Sequence, residues 1–168
     1  MLLKAAEQLS VRGYKLGGMI SGEIREKGVR VGFEVRDYAS NKRGWLAHVR
    51  QPVGPRIGKY RVNLDDLNLI GVTAILNALK DEDIVLIDEI GPMELFSEGF
   101  RDAVQKAVNS SKPVLGTIHY RAQHNLIKQI KSRKDAEVIE VTQETRAKLL
   151  ISIVNKIIKF MQQGLYEG

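Results

Sequence analysis

Apolar residues along this chain change their spacing several times, and each change marks an element. Leu2, Leu3, Ala5, Ala6 and Leu9 keep three-and-four spacing up to Gly13, which predicts a helix over residues 1–12. No residue stands ahead of it to cap its first amides, which is unusual for so apolar a helix. From Gly18 to about Val49 the period becomes two: Val29, Val31, Phe33 and Val35 alternate with Arg30, Gly32, Glu34 and Arg36. That alternation predicts a strand with one buried face. Met19 to Arg25 and Arg43 to Val49 flank it across turns at Glu26-Lys27-Gly28 and Ser40-Asn41, so three antiparallel strands are expected.

Residues 50–62, with Pro52, Gly54, Pro55 and Gly58, read as a loop. Asn63 can cap the next helix, with Asp65 and Asp66 in its first turn and Leu67, Ile70, Ala74 and Leu79 facing inward. A strand Ile84–Asp88 follows, then a helix from about Ser97 to Asn109 and a strand Pro113–Ile118. A short helix from about Ala122 to Lys131 and a strand Glu137–Val141 come next. Thr142 can cap the last helix, whose stripe of Ala147, Leu150, Ile151, Val154, Ile157, Ile158 and Met161 is core packing rather than a cofactor box. Continuous apolar strands alternating with helices predict a single α/β domain over residues 1–168. Its sheet should be mostly parallel with helices on both faces, and the antiparallel insert should sit near the N-terminus.

Composition narrows the chemistry. The absence of cysteine among the 168 residues excludes disulfides, thiolate metal sites and a cysteine nucleophile. No apolar run is long enough to span a membrane, and the N-terminus does not read as a secretory signal, so a cytoplasmic protein is expected. The net charge of +6 could draw phosphate-bearing ligands, although a solvated surface with some excess lysine explains it more simply. Lys27-Gly28 followed by Gly32-Phe33 lacks the aromatic positions of an RNA-reading strand, so a nucleic-acid partner is not expected. An RNA-binding module using the basic surface and the antiparallel insert is only a third, weaker alternative.

The chemistry concentrates in "IVLIDEIGPMELFS", residues 84–97. Four aliphatic residues run into Asp88 and Glu89, then a Gly-Pro turn. In an open parallel sheet, ligands gather at the carboxyl ends of the strands, where this pair falls. A first acid there can hold Mg²⁺, usually through a water, and an adjacent acid can orient and deprotonate an attacking water. A simpler alternative is that a strand ends here and its acids cap the following turn. Two consecutive acids fit that poorly, because burying either without compensation is costly. Thr117 and His119 end the next predicted strand and would lie beside Asp88 if the two strands pair. They are second-rank candidates. The simpler alternative also leaves Glu94 unexplained, unless it is merely solvated.

"VLIDEIGPMELFS", "FRDAV", "VLGTIH" and "AEVIEVTQETRAKLL" together resemble a small nucleoside-triphosphatase family of thermophilic archaea and bacteria with a relative in animals. "GYKLGGMISGEIREKGVRVGFEVRD" and "VGPRIGKYRVNLDDL" are similar to that family's insert and to its approach to the acidic strand. The resemblance covers nearly the whole chain. It implies a P-loop NTPase-like fold and Mg²⁺-dependent hydrolysis of ATP, GTP and other nucleoside triphosphates. By the same resemblance Asp88 would organise the metal, Glu89 would activate the water, and the nucleotide-contacting segment would be Val85, Leu86, Ile87, Asp88, Glu89, Ile90, Gly91 and Pro92.

The family begins with a strand and G-x-x-x-x-G-K-[ST], a loop whose amides and lysine cradle phosphates. This chain contains no such pattern. Gly54-Pro55-Arg56-Ile57-Gly58-Lys59 comes nearest, but its glycines are too close together and Tyr60 follows. Two expectations follow. Either Met1 is internal to a longer reading frame, with little activity in these 168 residues alone, or the chain is a degenerate, non-catalytic interaction protein on the same scaffold.

Overall fold

The computed structural model describes residues 1–164. It opens with α1 (Leu2–Val11), then β1 (Leu16–Glu26), β2 (Val29–Asp37) and β3 (Arg43–His48) as an antiparallel meander. The segment expected to be a loop folds instead into a small hairpin, β4 (Arg56–Ile57) and β5 (Tyr60–Val62), and β5 pairs with β3. A two-residue turn at Gly58-Lys59 is enough to bring such short arms together, and this turned backbone is what the loop-like composition signals.

Asn63 caps the following helix: its side chain accepts a hydrogen bond from the Asp66 amide at 3.1 Å. The helix runs as α2 (Leu64–Asp66), a π-helical turn Leu67–Val72, and α3 (Thr73–Asp81). Ile75 and Ala78 join Leu67, Ile70 and Ala74 among the buried positions, at the spacing a 3.6 period from Leu67 gives, while Leu79 is only partly buried at the edge of that stripe. β6 (Ile84–Ile90), a 3₁₀ turn Glu94–Phe96, α4 (Glu98–Val108), β7 (Val114–Ile118), α5 (Asn125–Ser132) and α6 (Arg146–Gly164) complete the chain. Ser97 caps α4 by accepting from the Phe100 amide at 3.0 Å.

All seven strands form one sheet in the order β4-β5-β3-β2-β1-β6-β7. β6 pairs in parallel with both β1 and β7, which makes an α/β core, and the antiparallel strands extend it from β1 outward. One face of the core carries Met19, Val85, Ile87, Leu67, Ile75, Phe100 and Ile127 against the central helices. The other carries Leu16, Ile20, Ile84 and Leu86 against α1 and α6. β6 is thus apolar on both faces because both are covered.

Two expectations are corrected. Residues 137–141 make no strand: β7 ends the sheet, and Val138 and Val141 stay about half exposed. An alternating sequence can favour extension but cannot supply a partner, and a strand exists only as half of a ladder. In α6, Ile151 is 61% exposed and Ala147 is also exposed, while Ile153 packs inward with Leu150, Val154, Ile157, Ile158 and Met161. The buried stripe is thus rotated from the expected one, toward the cluster it forms with α1 and the sheet.

Candidate active site

β6 delivers Asp88 and Glu89 at the carboxyl end of the most buried strand. Ile84 to Ile87 are fully buried, and the two acids that follow are partly exposed. The β6–β7 register shifts between Ile87 and Ile90, and contacts place the pair on opposite faces: Asp88 meets Thr117, whereas Glu89 lines a cavity with Phe33 and Leu46. Asp88 follows Ile84 and Leu86 toward the side of α1 and α6, and Glu89 follows Val85 and Ile87 toward the central helices.

β7 runs parallel to β6 with Ile87 opposite Gly116 and Ile90 opposite Ile118. That register places Thr117 beside Asp88, and the Thr117 hydroxyl donates a short hydrogen bond to Asp88 Oδ1. His119 continues the strand direction, with its amide donating to the Ile90 carbonyl at 3.1 Å. The structure therefore brings Asp88, Glu89, Thr117 and His119 to one edge. Val85, Leu86 and Ile87 are the buried rungs beneath them, and Ile90, Gly91 and Pro92 form the turn above.

The N-terminal end of α1 approaches from the same side. Its first turn has no side-chain cap and no acidic residue. The Met1 amino group is held below its usual pKa, first by burial and then by Arg146 at the start of α6, while Asp88 acts in the opposite sense. Uncapped amides, an arginine and a carboxylate at one helix end are a setting that favours anions once a cation accompanies them.

Glu94, which the sequence left unexplained, is not solvated: it is 5% exposed. Burial pushes its carboxyl up to about 8, and the neighbouring charges of Glu89 and Asp88 add to the shift. Glu89 is also raised, first by burial, with His119 opposing and Asp88 reinforcing. The two glutamates converge on Gly91. A Cβ there would stand 2.6 Å from Glu89 Oε1 and 3.0 Å from Glu94 Oε2, so the turn needs a residue without a side chain. Glu89, Glu94 and His119 line a cavity of about 340 Å³ whose opposite wall is Arg30, Phe33 and Met93, from the insert and the Gly-Pro turn. No local sequence signal marks Glu94 as buried. It is five residues from Glu89, past a turn, and the 3₁₀ turn Glu94–Phe96 tucks it under.

Other candidates fall away from this edge. His124 caps α5, accepting from the Leu126 amide at 3.1 Å. His48 is buried in the insert, where burial lowers its pKa. Gly54 to Lys59 belong to the β4–β5 hairpin. Among the described residues no group of three or more His, Cys, Asp or Glu could hold a metal by itself.

A family described as NTPase matches residues 1–154. The chain belongs to this nucleoside-triphosphatase family. It is 48% identical over 146 residues to the nucleoside-triphosphatase THEP1 of Thermofilum pendens, spanning 86% of this chain and 80% of that one. It is 46% identical over 160 residues to the THEP1 of Methanosarcina acetivorans, spanning 95% and 89%. Among solved structures it resembles THEP1 from Aquifex aeolicus, with a TM-score of 0.79 and 27% identity over 94% of this chain and 92% of that one. It also resembles a human cancer-related nucleoside triphosphatase, with a TM-score of 0.76 and 33% identity over 93% and 89%. Family and fold thus agree with the resemblance seen in the residues.

Proposed function

We propose that the protein hydrolyses nucleoside triphosphates, with the γ-phosphate placed at the carboxyl end of β6 between Asp88 and the N-terminal end of α1. The observation that carries this reading is the division of labour between two adjacent acids. Asp88 is hydrogen-bonded by Thr117 on one face of the sheet, and Glu89 stands half-buried beside a cavity on the other.

Asp88 is the residue that would hold a divalent cation, with Mg²⁺ the best match. Mg²⁺ takes one or two carboxylates and fills its remaining positions with water and substrate phosphate, and a single oriented carboxylate suits it. When bound, the cation neutralises charge on the β- and γ-oxygens. Thr117 fixes which Asp88 oxygen stays free. Glu89 accepts the proton of the attacking water, and the burial that raises its pKa makes it a stronger base than a solvated carboxylate. Glu94, mostly protonated at neutral pH, supports Glu89 without adding a second negative charge. Broad base tolerance and a cytoplasmic place of action complete the reading.

Residues 1–168 contain the acidic half of such a site and no G-x-x-x-x-G-K-[ST]. We therefore expect slow hydrolysis from these residues alone. A chimera with a strand and a phosphate loop joined directly before Met1 should be at least 100-fold faster, and Glu89→Gln should remove most of that gain. Equal rates with and without the loop would overturn the account of the missing cradle. An undiminished Glu89→Gln chimera would overturn the role of Glu89.

A second reading is a non-catalytic interaction protein on this scaffold. A ligand that binds the native state raises its melting temperature, so a thermal shift with Mg²⁺-ATP separates the two. No shift in the chain or in the chimera supports the second reading.

A further inference from the structure

The insert accounts for the chain's net positive charge. Residues 25–61 hold ten Lys and Arg against three Asp and Glu, or +7, whereas the chain as a whole is +6, so the remainder sums to −1. Folding then sorts the insert by face. Val35, Gly44 and Leu46 turn toward the helical run 64–81, where Gly44 lies against Asp66 and Ile70. Alternation sends Arg36, Arg43, Glu34 and Trp45 to the other face, with Arg36 opposite Arg43 and Glu34 opposite Trp45 in the ladder.

Trp45 and His48 stack on that opposite face, with ring centroids 4.0 Å apart and planes 9° apart. The stack lies down on the strand because residue 32 has no side chain: a Cβ at Gly32 would stand 2.5 Å from His48 Cδ2. His48 is 1% exposed, so its ring lies beneath and backs the partly exposed Trp45; burial first, then the neighbouring Arg50, lower its pKa. Arg50 flanks it, its amide donating to His48 Nδ1 at 3.0 Å. The Arg36 Nε is buried without a hydrogen-bond partner. Its guanidinium bonds only weakly, with Nη1 3.5 Å from Asn41 Oδ1. Arg43 lies 3.8 Å from Glu34, and Arg50 pairs with exposed Glu26. These are surface ion pairs of small individual worth that a polyanion can exchange.

We infer that this face of β2 and β3 is a docking surface for single-stranded nucleic acid, with a base stacking on Trp45, which the buried His48 ring holds flat, and phosphates on Arg36, Arg43 and Arg50. Charge complementarity and the flat aromatic platform together select this occupant. Cationic grooves with aromatic platforms bind single strands without needing sequence readout. A duplex offers phosphates but no free base faces. The aromatic spacing of an RNA-reading strand is absent from the sequence, yet a different pair, three residues apart across a bulged strand, supplies the platform. The inference does not depend on nucleotide hydrolysis.

Trp45 is the only tryptophan, so its fluorescence reads this face directly. The 168-residue chain is titrated with oligo-U and oligo-dT 12-mers, a 12-base-pair duplex and polyglutamate at 50 mM and 200 mM salt. The expected result is quenching by both single strands, with affinity falling roughly twentyfold across that salt range for about three neutralised phosphates. Arg43→Glu with Arg50→Glu should weaken binding at least tenfold with an unchanged circular dichroism spectrum. Arg43→Gln with Arg50→Gln should lie between, which guards against a folding defect. Absence of quenching at 50 mM salt, equal binding of polyglutamate or duplex, or indifference to both double variants would overturn the inference. A preference for oligo-U over oligo-dT would assign RNA.

Discussion

The Thr117 hydroxyl donates to Asp88 Oδ1 across two parallel strands 29 residues apart in sequence. A hydroxyl in this position does for a metal-organising carboxylate what an outer partner does for any ligand: it fixes the rotamer and leaves one oxygen free. Thr117→Val keeps the β-branched shape and removes the donor. We expect it to raise the Mg²⁺ concentration needed for half-maximal hydrolysis in the loop-bearing chimera by roughly 10- to 100-fold, with little loss of stability. An unchanged Mg²⁺ dependence would mean that Thr117 serves the sheet only.

Glu94 predicts a pH dependence of stability. Its folded pKa is raised from an ordinary 4.5 to about 8, so between these values the folded chain holds a proton that the unfolded chain has lost. Stability is therefore full below about pH 4.5, declines as pH rises toward 8, and levels off above. Glu89 contributes in the same direction. Glu94→Gln should flatten the profile and raise the melting temperature at pH 8 by several degrees, since each pKa unit corresponds to about 1.4 kcal/mol. A variant that follows the parent profile from pH 5 to 8 would show that Glu94 is not the source.

Gly91 separates architecture from chemistry. The atoms a Cβ would strike are the far ends of the Glu89 and Glu94 side chains, not backbone. Gly91→Ala should therefore cost on the order of 1 kcal/mol in stability. It should also lower the chimera's hydrolysis by at least tenfold, because Glu89 has to move. Loss of folding with no specific kinetic effect would contradict this.

The rotated face of α6 is testable without nucleotide. Ile157 is 9% exposed and packs in the cluster formed with α1, whereas Ile151 is 61% exposed. Chemical denaturation of Ile157→Ala should show a loss of about 2–5 kcal/mol, and of Ile151→Ser only about 0.5 kcal/mol. Equal losses would restore the register expected from sequence.

Much of the fold is legible in local patterns, because periodicity, caps and turns are local physics. The period-two run around Val29 to Val35, the Asn63 cap, and the apolar run into Asp88 and Glu89 each placed an element correctly. The sequence by itself also located the two acids at a strand's carboxyl end, since four aliphatic residues in a row require burial on both faces. Tertiary structure decided what depends on neighbours. Residues 137–141 have strand-like alternation and no ladder, because pairing needs a partner that pattern cannot name. Glu94 looks like any turn carboxylate until the 3₁₀ turn buries it against Gly91 and Glu89, and burial is what sets its pKa. The Trp45–His48 platform likewise needed the bulge in the β2–β3 ladder and the bare Gly32 beside it. Spacing along the chain determines which way a side chain begins to point. Only packing determines what it meets there.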